Sequence, residues 1–534
     1  MEELRCINTL RCLSIDMVQK ANSGHPGMPL GMAPAMHVLY SRILKFSSKH
    51  SKWSSRDRFV LSNGHGCALL YSMLHLAGYD VSLDDLKNFR QSGSNTPGHP
   101  EINITDGVEA TTGPLGQGIA NAVGMAISQE HVAACFNKPN FPIADSKVYV
   151  FCGDGCLQEG ISSEACSLAG HLKLKNLIII YDDNSITIDG NTSLSFSEDI
   201  PMRFKSCGWN TITVENGNED IDAIENAIKE AQESDRPTII SLKTYIGYKS
   251  PFENTAKAHG APLGISGVST TKEALNMDSS KDFEIPNDVK EFYANVIEKG
   301  NKSYDEWGKM FTEYSKQWPN EAAEYSRIFI EKKLPSNWKE CLDQFNDDNS
   351  NVATRSISGK ILKAIADQVP ELVGGCADLT PSCKTKFNTV DFQPGSYHGR
   401  YFRFGIREHA MIAICNGISY YGGLIPFSAT FLNFITYAWG AVRVGALSHA
   451  RQIYIMTHDS IALGEDGPTH QPVETIASLR AIPNLNVFRP ADAIETAECW
   501  QIAMESKNSP SAIVLTRQGL MTVRTEHTDE NLSA

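Results

Sequence analysis

Two short apolar runs, each followed by oxygen-bearing side chains, constrain the fold of this chain most. The first run, residues 147–151, leads to Asp154, and the second, residues 177–181, leads to Asn184. Both runs are of strand type, and ligands in open α/β sheets lie beyond the carboxyl ends of such strands. A carboxylate and an amide oxygen are hard donors that suit Mg²⁺ or Ca²⁺. The alternative for the first half is an ordinary Gly-Asp turn.

Helical and strand patterns alternate in two stretches, which predicts an α/β fold with parallel sheets. A chain of 534 residues is too long for one core. We predict two parallel-sheet domains, residues 1–265 and residues 351–534. The stretch between them, residues 266–350, is charged and helical in pattern, so we interpret it as a helical linker. Strand-like runs in the second domain are residues 401–404, 452–456, 486–488 and 512–515.

The composition excludes several classes of protein. Hydrophobic residues make up 41% of the chain and charged residues 21%, as in globular proteins. No apolar run approaches the ~18 residues that span a bilayer, and the acidic start argues against a presequence. A net charge of −14 without a basic run argues against nucleic acid as a partner. Thirteen cysteines without CxxC pairs indicate reduced thiols and a cytoplasmic protein.

Six histidines stand in loops punctuated by Gly and Pro. An imidazole can donate, accept or relay a proton near neutral pH, which suits substrates rich in hydroxyl groups. Zinc is the competing interpretation, but the sequence has no HxxxH pattern or cysteine companion near them. The six are His25, His65, His99, His259, His458 and His470.

A Gly-rich loop, residues 111–118, leads into an apolar helix and predicts an anion site at the helix N-terminus. It lacks the GxGxxG pattern of dinucleotide sites.

In the second domain, Glu408 stands near a predicted helix start, where the helix dipole alone would favour an acid. Phe431, Phe434 and Tyr437 form an aromatic face, which is either core or a platform for a flat heterocycle.

Taken in order, these motifs resemble those of transketolase, a thiamine-diphosphate enzyme. The resemblance covers essentially every segment. It implies reversible transfer of a two-carbon ketol unit from xylulose 5-phosphate to ribose 5-phosphate or erythrose 4-phosphate, in the non-oxidative pentose phosphate pathway. The motifs are SGHPG, LSNGHG, TPGHPE, TTGPLGQG, GDGCLQEG, YDDN, AHGAPL, VATR, ADLTPS, GIREHA, TFLNF, THDS, GEDGPTHQP and LTRQ.

The resemblance also assigns the cofactor site. Asp154, Asn184 and the main-chain carbonyl of Ile186 would hold Mg²⁺, which Ca²⁺ or Mn²⁺ could replace. Glu408 would hydrogen-bond the aminopyrimidine ring and promote loss of the thiazolium proton, which requires a buried, protonated carboxyl with a raised pKa. The cofactor contacts would be His65, Gly113, Pro114, Leu115, Gly155, Asn184, His259, Phe431, Phe434 and Tyr437.

The same resemblance assigns the substrate site. His25, His259 and His470 join Glu408 as expected catalytic residues. The resemblance implies a clamp for the phosphate end of the substrate, formed by Arg355, Ser382, His458 and Arg517, and guanidinium groups suit phosphate. The expected substrate-binding residues are His25, His99, His259, Arg355, Ser382, His458, Asp466, His470 and Arg517.

The resemblance further implies a homodimer with active sites at the subunit interface. It leads us to expect that the family's smaller third domain is absent here, since the sequence stops soon after Arg517. Among other ketol-transfer enzymes, 1-deoxyxylulose-5-phosphate synthase is disfavoured by TPGHPE and TTGPLGQG, and dihydroxyacetone synthase by the clamp residues. The remaining alternative is a non-catalytic thiamine-diphosphate-binding protein.

Overall fold

The computed structural model describes residues 2–346 and 351–525, and it divides into two compact units. The first unit comprises the chain up to Gln129 together with Pro139–Glu313, and the second comprises Glu130–Lys138 and the chain from Tyr314 onward. The predicted linker end at residue 350 and the last residues of the predicted second domain, 526–534, lie outside the described residues. The predicted domain division at 265 and 350 stays a prediction.

The first unit is built on a five-stranded sheet in which all pairs are parallel. The strand order is β1-β2-β3-β5-β4. The central strands are apolar and buried on both faces, as strands between two helical layers must be. The strands are β1 (Arg58–Leu61), β2 (Val148–Gly153), β3 (Leu177–Asp183), β4 (Asn210–Val214) and β5 (Thr238–Lys243).

Helices connect these strands and cover the sheet. The buried side chains of the first three helices join those of the sheet in one large core. The helices up to residue 317 are Glu2–Ala21, Gly27–Val38, Cys67–Leu76, Leu83–Lys87, Gln117–Phe136, Asp154–Gln158, Gly160–His171, Ile200–Ser206, Ile221–Gln232, Ile265–Ala274 and Asn287–Gln317.

The second unit contains a six-stranded sheet, again with parallel pairing throughout. Its order is β10-β11-β9-β8-β6-β7. Four of these strands fall within about one residue of the strand-like runs in the sequence, whereas β6 and β8 were not predicted. The strands are β6 (Leu372–Cys376), β7 (Tyr401–Arg403), β8 (Ile425–Phe431), β9 (Ile453–Thr457), β10 (Asn486–Phe488) and β11 (Ser511–Leu515).

The helices of the second unit flank this sheet, and Trp500 and Ile361 lie in its buried core. The described part of the predicted linker, residues 266–346, contains helices and no strand. Among the helices of the described chain, none is long and apolar enough to cross a membrane. The α/β fold with two parallel sheets is confirmed. The helices after residue 317 are Pro319–Tyr325, Thr354–Gln368, Thr380–Cys383, Glu408–Tyr421, Trp439–Leu447, Thr475–Arg480 and Ala493–Glu505.

Candidate active site

Strands β2 and β3 end side by side, with Gly153 in register with Asp182. This register brings Asp154 next to the turn that contains Asn184, as the two strand-end motifs predict. A cavity opens at this edge of the sheet. Its lining residues are Met28, Asn63, His65, Leu115, Gly153, Asp154, Gly155, Cys156, Asp182, Asn184, Ile186, Thr187, Ile188, Ile246 and His259.

Asp154 is the first residue of the helix Asp154–Gln158, and only 5% of its surface is exposed. The Tyr181 hydroxyl donates a hydrogen bond to Oδ1 of Asp154. Burial raises the pKa of Asp154 to about 6, although the Tyr181 hydrogen bond opposes this rise. The second oxygen, Oδ2, is buried and accepts no hydrogen bond from the described residues. A buried carboxylate oxygen without a partner is costly, so this atom fits a cation.

Asn184 is held by its neighbours with its amide in a defined orientation. Its Nδ2 donates to Oδ2 of Asp182 at 2.9 Å, and its Oδ1 accepts from the Ile186 N–H at 3.0 Å. Oδ1 of Asp182 accepts in turn from the Thr244 hydroxyl at 2.5 Å. The amide oxygen of Asn184 is therefore turned away from Asp182, and an amide oxygen can accept a second contact, from a metal.

The donor set at Asp154 fits a hard cation. Within residues 2–346 and 351–525, no three His, Cys, Asp or Glu side chains are arranged to hold a metal. A cation at Asp154 therefore needs amide, carbonyl or phosphate oxygens as its other ligands, which is the chemistry of Mg²⁺ or Ca²⁺. The same finding leaves the zinc interpretation of the loop histidines without support in the described chain.

Glycines allow the backbone to approach a ligand at this cavity. A Cβ atom on Gly155 would lie 2.8 Å from Cδ1 of Leu115. Gly113 has φ +137°, and a Cβ atom there would lie 3.2 Å from the His99 ring. Pro114 is exposed between Gly113 and Leu115. The Gly-rich loop thus lies against both the cavity and the histidines, as an anion-binding loop must.

Four of the six loop histidines converge in the first unit. The ring of His25 lies 5.1 Å from that of His65, 6.2 Å from His99 and 5.6 Å from His259. The rings of His65 and His259 are 4.9 Å apart. Burial lowers the pKa of all four, to about 4 for His25. These imidazoles are therefore neutral near pH 7 and can both donate and accept hydrogen bonds.

The aromatic face lies in the second unit. Phe431 ends β8, and Phe434 and Tyr437 follow in a 3₁₀ helix, Leu432–Ala438, whose three-residue period aligns them. Phe431 and Phe434 are nearly parallel, with centroids 5.8 Å apart. Tyr437 is 69% exposed, so the row runs from the core to the surface. The imidazole of His470 meets Phe434 edge-on, with centroids 5.0 Å apart.

Glu408 begins the helix Glu408–Tyr421, as its position in the sequence predicts. Its side chain is half-buried in the single chain. One chain alone therefore does not bury this carboxyl fully.

The predicted clamp residues form a basic cluster in the second unit. Nη1 of Arg355 donates to the Ser382 carbonyl at 2.9 Å and lies 3.3 Å from Nε2 of His458. The His458 ring stacks on Phe431, with centroids 3.6 Å apart. Burial, followed by the charges of Arg355 and Arg517, lowers the pKa of His458 to about 4. The nearby arginine charges favour an anion here.

The other expected substrate-binding residues of the second unit lie on its more open parts. Arg517 pairs with Glu465. Asp466, the next residue, is exposed, and His470 follows with its Nδ1 2.9 Å from the Thr469 hydroxyl. Ser382 contributes its carbonyl, and not its hydroxyl, to the contact with Arg355.

The cavity residues of the first unit and the aromatic and basic residues of the second unit lie in regions that known family models match. The family model described as "Transketolase, thiamine diphosphate binding domain" matches residues 2–335. The model described as "Transketolase, pyrimidine binding domain" matches residues 350–522. The chain belongs to the transketolase family. Its members carry both cofactor-binding domains, so the chain is a thiamine-diphosphate-dependent enzyme of this family.

Individual transketolases match over almost the whole chain. Transketolase 1 of Saccharomyces cerevisiae is 54% identical over 523 residues, which are 96% of this chain and 76% of that protein. The transketolase of Geobacillus stearothermophilus is 51% identical over 98% of this chain and 78% of its own length. A crystal structure of Pichia stipitis transketolase with sedoheptulose-7-phosphate superposes with a TM-score of 0.95 at 49% identity, covering 98% of this chain and 78% of that one.

These matches confirm the family resemblance and favour an active transketolase over a non-catalytic binding protein. The structure also adds residues that the sequence analysis did not single out. Tyr181 holds Asp154, Asp182 orients Asn184, and Asn63 lines the cavity with a buried Oδ1 that has no partner in the described chain. All three residues lie within the motifs YDDN and LSNGHG, and this position was the sequence signal that could have identified them.

Proposed function

We propose that this chain transfers a two-carbon ketol unit from xylulose 5-phosphate to ribose 5-phosphate or erythrose 4-phosphate. The observation that carries the proposal is the first-unit cavity. It contains the expected metal ligands and five of the expected cofactor contacts, namely His65, Leu115, Gly155, Asn184 and His259, and it includes a buried carboxylate oxygen that lacks a partner in the described chain. The reaction belongs to the non-oxidative pentose phosphate pathway.

In this proposal, Asp154, Asn184 and the Ile186 carbonyl would hold Mg²⁺, with Ca²⁺ or Mn²⁺ as replacements. When bound, thiamine diphosphate supplies a carbon nucleophile and an electron sink for the two-carbon fragment. Leu115 of the Gly-rich loop lines the same cavity beside Gly155, and a Gly-rich loop at a helix N-terminus suits a diphosphate. His65 and His259 line the cavity beside them.

The second unit contributes the ring-binding and proton-holding groups. Phe431, Phe434 and Tyr437 offer a row of aromatic rings for the aminopyrimidine ring, of which the first two are stacked. Glu408, at the start of its helix, would hold a proton for the aminopyrimidine ring. A carboxyl can pass this proton on, whereas an amide can only hydrogen-bond.

Sugar hydroxyls are bound by the histidines. His25 and His259 are neutral because burial lowers their pKa values, so they can exchange hydrogen bonds and protons with a substrate. His99, Asp466 and His470 take further hydroxyl groups. Arg355, Ser382, His458 and Arg517 bind the substrate phosphate, and the contacts among Arg355, Ser382 and His458 support this.

We further propose a homodimer in which each site uses the first domain of one subunit and the second domain of its partner. Mixing two inactive variants tests this. If Asp154→Ala breaks one half-site and Glu408→Gln the other, mixed dimers keep one intact site, and about a quarter of wild-type activity should return after random exchange. No recovery, with mixed dimers demonstrated by differently tagged subunits, would place both halves in one chain.

The overall proposal is tested with purified protein, thiamine diphosphate and Mg²⁺. We expect formation of sedoheptulose 7-phosphate from xylulose 5-phosphate and ribose 5-phosphate. Bound cofactor without any transfer would contradict the proposal and favour the non-catalytic alternative.

We propose a cytoplasmic location as well. All thirteen cysteines are free thiols, the state that the reducing cytoplasm maintains. Fractionation of cells that express the native chain tests this directly.

A further inference from the structure

Arg90 joins two histidine-bearing loops that the proposed function assigns to the substrate. Its guanidinium donates to Oγ of Ser23 at 2.9 Å and to the Gly98 carbonyl at 3.2 Å. It also contacts Nδ1 of His25 at 3.4 Å. Arg90 itself has φ +63°, a left-handed conformation that is uncommon for a residue with a long side chain. Such strain persists where the surrounding structure fixes it.

The contact with His25 determines where the imidazole proton lies. A guanidinium has only donors, so Nδ1 of His25 must accept. A neutral imidazole that accepts at Nδ1 carries its proton on Nε2. The Nε2 edge faces the loop of His259, since a Cβ atom on Gly260 would lie 3.4 Å from Nε2 of His25.

We propose that Arg90 is a positioning residue that fixes the Nε2–H tautomer of His25, so that His25 offers the substrate a hydrogen-bond donor. The proposal rests on the proposed function where it assigns His25 to the substrate. The tautomer itself follows from the geometry of the chain. A donor at Nε2 suits a carbonyl or hydroxyl oxygen of the sugar. Because Nε2 already carries a proton in this tautomer, it cannot accept one from the substrate.

The neutral state of His25 supports this assignment. Burial, followed by the charges of His259, Arg90 and His99, lowers the pKa of His25 to about 4. His65, His99, His259 and Arg90 are the titratable and charged groups that face His25. None of them is an acid, so His25 has no carboxylate partner in this group that would favour its protonation.

Neutron diffraction of the thiamine-diphosphate-loaded protein in D₂O tests the tautomer without reference to activity. We expect deuterium on Nε2 of His25 and none on Nδ1. Deuterium on Nδ1 would overturn the proposal. Because this readout needs no turnover, a failure of the proposed reaction and a failure of the tautomer assignment are distinguishable.

Kinetics test whether Arg90 acts through His25. We expect Arg90→Met to lower kcat/KM by about 30-fold and Arg90→Lys by less, with cofactor binding retained. The double variant Arg90→Met/His25→Ala should be no worse than His25→Ala alone. Fully additive losses would overturn the proposal. Ser23→Ala is the matched control, because it removes one Arg90 contact and leaves that with His25 in place.

The titration of His25 separates positioning from a merely structural role. Removing the Arg90 charge should raise the pKa of His25, so the midpoint of its imidazole titration, followed by NMR, should move to higher pH in Arg90→Met. An unchanged midpoint together with a lower kcat/KM would indicate a structural defect and would overturn the proposal. If Arg90→Met fails to bind cofactor, Arg90→Lys and the wild-type neutron structure still decide the question.

Discussion

The two units carry their site residues on different kinds of structure. In the first unit, Asp154 and Asn184 follow directly after buried central strands, and both are almost fully buried. In the second unit, Tyr437 and Asp466 are exposed and Glu408 is half-buried. The first group is therefore already buried in a single chain, whereas the second is partly open to solvent.

This difference has a physical basis in preorganisation. A carboxylate held by Tyr181 and an amide held by Asp182 lose little freedom when a metal and a diphosphate bind. An exposed ring and a half-buried acid gain their low-dielectric surroundings only when something covers them. The first unit should therefore control cofactor affinity, and the second unit should control turnover. The following variants test that division.

Glu408→Gln should have the largest effect. The amide retains a hydrogen bond but cannot exchange the proton, so we expect kcat to fall on the order of 1,000-fold. Thiamine diphosphate affinity, measured by fluorescence quenching, should change by only a few-fold. Turnover like that of the wild type at saturating cofactor would refute the role of Glu408.

Asp154→Ala should act in the opposite way. Loss of the only carboxylate in the expected metal site should weaken cofactor binding on the order of 100-fold. Part of the activity should return at very high Mg²⁺ and cofactor. Asp183→Asn, one residue before Asn184 and paired with Lys243, is the matched control and should bind normally. Equal cofactor affinity in Asp154→Ala and the wild type would show that the cavity is not the metal site.

Arg517→Ala should have a smaller and more selective effect. Loss of a charged phosphate contact should raise KM for xylulose 5-phosphate by about 10-fold or more. A non-phosphorylated ketose should be affected little. Arg480→Ala, which removes an exposed arginine of the same unit, should leave KM unchanged. If Arg517→Ala behaves like this control, the clamp assignment is wrong.

The smallest effect concerns the cofactor-free chain. Burial raises the pKa of Asp154 to about 6 and that of Asp182 to about 7, above the ordinary aspartate value of 3.8. Between pH of about 4 and 7, the folded chain thus binds more protons at these groups than the unfolded chain, so their contribution to stability falls as pH rises. In Asp154→Asn, the loss of unfolding free energy between these pH values should be smaller by about 1–3 kcal/mol, which corresponds to a few degrees in Tm. An unchanged slope would contradict the raised pKa.

Strand β6 shows where sequence patterns fail. Its Gly374-Gly375 pair argues against a strand, because glycine is depleted in strands and adds no packing. In the fold, a Cβ atom on Gly375 would lie 1.8 Å from the Phe402 carbonyl oxygen. The neighbouring strand therefore requires glycine at this position, and that requirement is visible only once the strands are paired.

The sequence by itself determined the α/β class, the helical character of the segment after residue 265, and the meeting of Asp154 with Asn184. Local periodicity and the rule for strand ends in parallel sheets suffice for these. The tertiary structure alone decided that Tyr181 holds Asp154, that Asp182 orients Asn184, and that Arg90 reaches His25 across 65 positions of the chain. Side-chain partners depend on which loops the fold brings together, and no local pattern encodes that.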